Sequence, residues 1–487
     1  MQSHRLQSHR PCCSSFAARW RAAGRILLAA LGALLALSAC EGTEGSDLRF
    51  RAVTTTNQDF EAPVLVDVGN SPITLAAVDL NGDSSLAKDL VVVNQFETVP
   101  ASTPANPFAP GTISLLTNDG AGTFTVVEEF STGGSLPSTI LTGNLDGDIY
   151  PDIVLLNSAG SVISVFINDG MGSFLPPVDY LLSGTATQVS LIDLNGDGSA
   201  AQDVIVSVST VIDPDDFTAP GVMRAFRNDG FGVLTPVDIT GATGVPTRFV
   251  IGDWDGDPFP DLAVIESEQD AVVVLTGDGA GAFTVIGLPF PQLGTAYDIV
   301  TGDFDSDGDA DLVVSNRLTS FVSYLEGAGD GTFTTTPQVD LLDAAGLPER
   351  MVTGNFTAAG LDVAVLQTFE RRIAFLDGNG LGGFSRFEIS VSDEPYTIGK
   401  GDFNADGILD LVVAERELRL ISILNGNGAG GFGRTVIGFD TALRFPTVLD
   451  FDGNGIDDLL LLHPGLDRLV LLQNCHPAIS TPSTPCP

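Results

Sequence analysis

Two short motifs alternate along this chain, and their spacing constrains its fold more than any other feature. The first is Asp/Asn-x-Asp/Asn-x-Asp/Asn, a further Asp a few residues on, then a run of Leu, Ile and Val. Its copies are Asp79, Asn81 and Asp83 closed by Asp89, then Asn144, Asp146 and Asp148 closed by Asp152. Asp193, Asn195 and Asp197 with Asp203 follow, then Asp253, Asp255 and Asp257 with Asp261, and Asp303, Asp305 and Asp307 with Asp311. The last two are Asp402, Asn404 and Asp406 with Asp410, and Asp450, Asp452 and Asn454 with Asp458. Before these two lies a degenerate copy, Gly354-Asn355-Phe356-Thr357, which keeps only Asp362 of the acids. The eight units start 47 to 65 residues apart. The second motif follows each of the first seven, at 118–124, 168–174, 228–234, 277–283, 327–333, 378–384 and 426–432. Its Asn-Asp-Gly and Gly-Asn-Gly segments tolerate positive φ, which makes them hairpin turns.

Two turn signals per unit predict four short strands per unit. The first strand runs into the acidic loop, as Leu75 to Val78 does. The second is the run after the last Asp, Leu90 to Val93 in the first unit and Leu459 to Leu462 in the last. The third leads into the glycine hairpin, and the fourth starts at its Phe, or at Leu234 in one copy. The second strand is apolar on both faces, so both must be covered. In a β-propeller the neighbouring blades do this. The expected fold class is all-β, a propeller over residues 59–474 with eight four-stranded blades; seven is the alternative, because the sixth unit has degenerated. The last unit has a third strand at Leu469 to Gln473 but no fourth. Phe60 to Val68 reads as an orphan fourth strand, and pairing the two closes the ring and removes its exposed edges.

Aspartates at positions 1, 3 and 5 of a tight loop point their carboxylates at one centre. Packed within a few ångströms they repel one another unless a cation neutralises them. An oxygen-only donor set suits Ca²⁺, whereas Mg²⁺ takes fewer carboxylates and Zn²⁺ takes His or Cys. The loops are therefore candidate structural Ca²⁺ sites, up to about seven of them. Solvated Asx turns that need no ion are the alternative. The first and third loops carry two extra residues before Asp89 and Asp203. The sixth, with Asn355, Thr357 and Ala359, is expected to have lost its ion.

Residues 1–39 hold Arg5, Arg10, Arg19, Arg21 and Arg25 and no acid. The apolar run Ile26–Leu37 is short for a membrane span and fits a signal-peptide core. It ends in Leu37-Ser38-Ala39-Cys40, which resembles the lipobox of bacterial lipoproteins. That resemblance implies cleavage before Cys40, lipidation of its thiol, and residues 40–58 as a flexible tether. Glu41 stands where an inner-membrane retention signal would place Asp, which points to the outer membrane or cell surface. An ordinary secretory signal is the alternative. Removing the five arginines takes the net charge from −40 to −45. So acidic a body excludes nucleic acid and any membrane contact other than the lipid anchor. Cys475 and Cys486 bracket the Pro/Ser/Thr-rich tail 475–487 and are a candidate disulfide in an oxidising compartment, or two free thiols.

The Asp-rich loop, the Asp-Leu-Val-Val strand and the Asn-Asp-Gly-x-Gly-x-Phe hairpin resemble FG-GAP/VCBS repeats, the units of integrin α-subunit propellers and of many bacterial surface proteins. The resemblance covers nearly all of residues 59–474. It implies structural calcium and a binding or adhesion platform for an extracellular or periplasmic protein or polysaccharide. Beyond the signal region only His463 and His476 remain, and no nucleophile elbow, phosphate loop or His-Glu-x-x-His occurs. The chain is therefore not expected to be an enzyme; the alternative is a propeller lyase or hydrolase acting on extracellular glycans. His463 reads as a packed or capping histidine, and Trp254 as packing. Two long Pro-rich insertions between second and third strands, Gln95 to Gly111 and Ser209 to Gly221, present Phe96, Phe108 and Phe217. They lie on the face opposite the acidic loops and are candidate partner-binding segments, or tolerated insertions.

Overall fold

Each closing aspartate opens a strand that is apolar on both sides, and the fold supplies a neighbour for each side. The computed structural model describes residues 50–53, 60–80, 82, 88–96, 110–157, 161–195, 201–209, 221–240, 242, 244–267, 270–291, 295–335, 339–340, 347–416, 419–439 and 443–474. These residues form eight antiparallel sheets and no helix. Blade four is representative, with Pro246–Gly252, Asp261–Glu266, Ala271–Gly277 and Phe283–Pro291 paired in chain order. Its first strand ends at Gly252, opposite the closing Asp261. The same register recurs at Gly143 and Asp152, Gly302 and Asp311, Gly354 and Asp362, and Gly401 and Asp410.

The core is divided into eight apolar clusters, one between each pair of successive blades. In blade two, Ile153 and Leu155 pack with Val91 and Ile113 of blade one. Val154 and Leu156, their neighbours along the strand, pack with Val204 and Val206 of blade three. Strand alternation thus sends successive side chains to opposite neighbours. The eighth cluster joins Leu90 and Val92 of blade one to Leu460 and Leu462 of blade eight, which closes the circle. Trp254 is 1 % exposed and packs 6.2 Å from Phe333, as read from the sequence. His463 is buried, and its Nδ1 accepts a hydrogen bond from the Leu466 amide (3.0 Å) in the following turn.

There are eight blades, not seven. The degenerate sixth unit makes a full one from Pro348–Gly354, Asp362–Gln367, Arg372–Gly378 and Phe384–Ser390. The eighth, Arg444–Leu449, Asp458–His463 and Arg468–Leu472, takes its outer strand from the N-terminal side, Val64–Asp67. Val64 pairs with Leu471 and Asp67 with Arg468. One element departs from the expected tether: Phe50–Val53 pairs with Phe432–Phe439 as a fifth strand on blade seven. Of the candidate partner-binding aromatics, Phe96 is half-buried at the end of Asp89–Phe96, opposite Asn70. Phe108, Phe217, the signal region, Cys40, Cys475 and Cys486 lie outside the described residues.

Deleting residues 59–68 is expected to uncover the edge of blade eight and lower the melting temperature by roughly 10 °C or more. Deletion ending at residue 58 removes only the extra outer strand and should cost far less. Differential scanning calorimetry of the two truncations checks this.

Candidate metal centres on the acidic face

The closing aspartates are the best-defined part of the loops. In all eight blades, Oδ2 accepts the amide of the second loop residue, at 2.6–3.1 Å. Those donors are Leu80, Leu145, Leu194, Trp254, Phe304, Phe356, Phe403 and Phe451, each buried. Oδ1 accepts the amide that opens the hairpin after the third strand, or Asn474 in blade eight, at 2.6–2.9 Å. One buried carboxylate therefore ties the acidic loop to the third strand of its own blade. Asp89 and Asp203 make these bonds despite the two extra loop residues before them. Sequence reading gave the closing acid a metal-ligand role and missed the strap. The signal was present, since Asp362 is the one acid that the degenerate loop retained.

A second set of bonds crosses between blades. Asn118 Nδ2 donates to the carbonyl of Phe451 (2.8 Å), Asn168 to Leu80 (3.1 Å), Asn228 to Leu145 (2.6 Å) and Asn474 to Phe403 (2.6 Å). In two of the four blades where a glycine replaces the asparagine, a hairpin amide takes over: Gly331 donates to Trp254 O and Gly382 to Phe304 O. Each of these second loop residues is thus clamped by its own blade through its amide and by the next blade through its carbonyl. Loops and hairpins accordingly share one face of the ring.

The carboxylates at positions 1, 3 and 5 bend the loops around themselves. In blade four, Asp253 accepts from the Gly256 amide, Asp255 from Asp257 and Asp257 from Phe259. Position four needs a left-handed backbone, held by Gly256 at φ 75° and, without glycine, by Ser306 at 65° and Ala405 at 54°. Three loops gather three carboxylates whose oxygens lie within 4.8 Å of one another: Asp253, Asp255 and Asp261; Asp303, Asp305 and Asp307; Asp450, Asp452 and Asp458. Among the described residues, loops two and seven do not gather three carboxylates this closely; Asn144 and Asn404 stand in their acidic positions. Asn81, Asp83 and Asp197 lie outside the described residues. In blade six, Thr357 occupies the loop; its hydroxyl bonds Asp362 (3.2 Å) and Asp377 (2.9 Å), and its amide donates to Asp362 (2.8 Å).

A family model described as an FG-GAP-like repeat matches residues 144–206, 253–314 and 402–461. The chain carries FG-GAP-like repeats at three sites. Each match runs from one acidic loop to the second strand of the next blade, so together they take in six loops and leave out the first and the degenerate sixth. No curated protein sequence matches the chain. Among solved structures, Sqt1 from Chaetomium thermophilum is similar in fold at 12 % identity and a TM-score of 0.55, covering 84 % of this chain and 97 % of that one. A lectin from Agrocybe aegerita that recognises non-reducing terminal N-acetylglucosamine matches at 16 % identity and a TM-score of 0.47, covering 81 % and 99 %. A periplasmic gluconolactonase from Pseudomonas aeruginosa matches at 14 % and 0.39, covering 73 % and 85 %. No ligand or activity carries over from any of them.

Burial, opposed in part by the two amide bonds, pushes the closing acids of the FG-GAP-like units upward. Asp152 and Asp261 rise to about 6, Asp410 to about 7 and Asp458 to about 8. The neighbouring loop carboxylates add to the rise in each case. Because these folded-state values lie above the unfolded value of 3.8, the native state binds more protons between about pH 4 and 8. Stability of the ion-free protein must then fall as pH rises through that window. Urea midpoints in EGTA at pH 5 and pH 8 should show the loss. The strap has a separate test in blade six. Asp362→Ala leaves three buried amides, those of Phe356, Thr357 and Gly378, without an acceptor, at about 1–3 kcal/mol each. A loss of roughly 3–9 kcal/mol, the same in EGTA as in Ca²⁺, is expected from chemical denaturation.

Proposed function

We propose that this chain is an exported, lipid-anchored β-propeller of the bacterial envelope, stabilised by calcium, that presents a rigid surface to a protein or polysaccharide. The fold supports a platform: eight blades, each tied by its closing aspartate and packed against its neighbours, make a rigid scaffold. The observation that carries the calcium reading is the convergence of three carboxylates in each of three loops, all of them hard oxygen donors with no His or Cys. Such a set fits Ca²⁺, held by Asp253, Asp255 and Asp261, by Asp303, Asp305 and Asp307, and by Asp450, Asp452 and Asp458. The ion supplies positive charge where the loop concentrates negative charge, and the chain's residues supply the turn. Export rests on the arginine-rich leader, the apolar run and Leu37-Ser38-Ala39-Cys40. A glycan-active propeller enzyme is the second class of function that such a fold hosts, and nothing in the geometry of the loops favours it.

Asp→Asn substitution separates an ion site from an Asx turn, because an asparagine oxygen still accepts the turn amide but carries no charge. Asp305→Asn should therefore lower the melting temperature in Ca²⁺ and change it little in EGTA. For the native chain, Ca²⁺ at a hundredfold its dissociation constant stabilises by about 2.7 kcal/mol per site, and Mg²⁺ should not replace it. Equal melting curves for native chain and variant in Ca²⁺, with no calcium found by elemental analysis, would overturn the calcium reading.

A further inference from the structure

On the face opposite the acidic loops, the same pair of residues occurs twice. Tyr297 lies five residues before Gly302, which pairs with closing Asp311, and Tyr396 lies five before Gly401, which pairs with Asp410. Arg317 and Arg416 each follow their closing aspartate by six residues. Each guanidinium sits over its tyrosine ring, 4.9 Å from the centroid in blade five and 5.5 Å in blade seven. The next blade then makes the difference. In blade six, Glu349, five residues before Gly354, pairs with Arg317 at 2.9 Å and also accepts the Thr368 hydroxyl. The equivalent residue of blade eight, five before Leu449, is Arg444. Where one copy closes on its own carboxylate, the other brings a second cation.

That second copy opens onto a cavity of about 350 Å³, lined by Tyr396, Arg416, Arg419, Arg444, Phe439 and Glu415, among others. All three arginines are exposed, and Arg416 and Arg444 form no ion pair among the described residues. Such a concentration of positive charge is unexpected in a chain of net charge −40. Tyr396 is fixed by donating its hydroxyl to the Leu443 carbonyl (2.6 Å). Both arginines act on its phenol, offsetting in part the rise that burial causes. Glu415 has a fully buried side chain. One oxygen is held by Arg434 (2.8 Å) and Ser422, and the other has no hydrogen-bond partner among the described residues.

We propose that this cavity binds a carboxylated sugar of the uronate class at the end of a glycan. Its carboxylate takes the position that Glu349 fills in the sister copy, between Arg416 and Arg444, where charge-assisted hydrogen bonds favour it. The tyrosine ring and Phe439 offer the apolar wall that a pyranose face needs. The volume suits one or two sugar rings. A single carboxylate is accepted despite the acidic body because charges beyond about 8 Å are screened at physiological ionic strength.

The inference rests on the platform reading above, and its test separates the two. The full chain in Ca²⁺ is titrated calorimetrically with methyl glucuronide, methyl glucoside and acetate. Binding of the glucuronide alone, weakened at least tenfold by Arg416→Ala and by added salt, is expected. Arg444→Glu restores the internal carboxylate of the sister copy and should abolish binding while leaving the melting temperature unchanged. Equal binding of the neutral glycoside, equal binding of acetate, or no glucuronide binding up to about 10 mM would each overturn the proposal. A glycan or protein captured equally by the native chain and by Arg444→Glu would overturn this pocket and leave the platform reading standing.

Discussion

One buried carboxylate per blade organises this molecule. The closing aspartate accepts an amide from its own loop and another from the third strand, and it does so in every blade. A buried charge is costly unless its lone pairs are engaged, and here the engaged partners are backbone groups that would otherwise be orphaned by the turn. The strap sets where the second loop residue points, and that residue then fills the gap toward the next blade. The seating of that residue against the next blade and the hairpin's position beside the loop follow from it.

The strap also explains how function and stability are divided within a repeat. Blade six has lost the acids at positions 1, 3 and 5, yet it keeps its four strands and the two strap bonds of Asp362. Charge at the loop positions can therefore vary without loss of the blade. The opposite face varies in the same way: a Tyr–Arg pair is sealed by Glu349 in one place and flanked by Arg444 in another. A ring of near-identical units gives each substitution a built-in reference copy, which is what makes the change from acid to arginine interpretable.

Much of the architecture was legible from residue order. The two motifs recur with fixed chemistry, so strand number and hairpin positions could be read directly, while the choice of eight blades over seven waited on the degenerate sixth unit, which the structure shows to be a full blade. The orphan strand near Phe60 to Val68 pairs with the last unit as its lack of a fourth strand required. The sites were less legible. Alternating acids mark a loop, but the motif does not reveal that Asp253, Asp255 and Asp261 converge while loops two and seven gather fewer acids. Nor does it show that closing acids serve the backbone, because a carboxylate in sequence looks the same whether it faces an ion or an amide.

The sequence alone determined the repeat, the all-β class, the eight units and the face on which the acids lie, because these depend on local turn chemistry and strand alternation. Tertiary structure decided which carboxylates meet, that Phe50–Val53 joins blade seven, and that Tyr396, Arg416 and Arg444 share a cavity. Those outcomes depend on contacts between residues far apart in the chain, where register and blade rotation set distances that no local motif encodes.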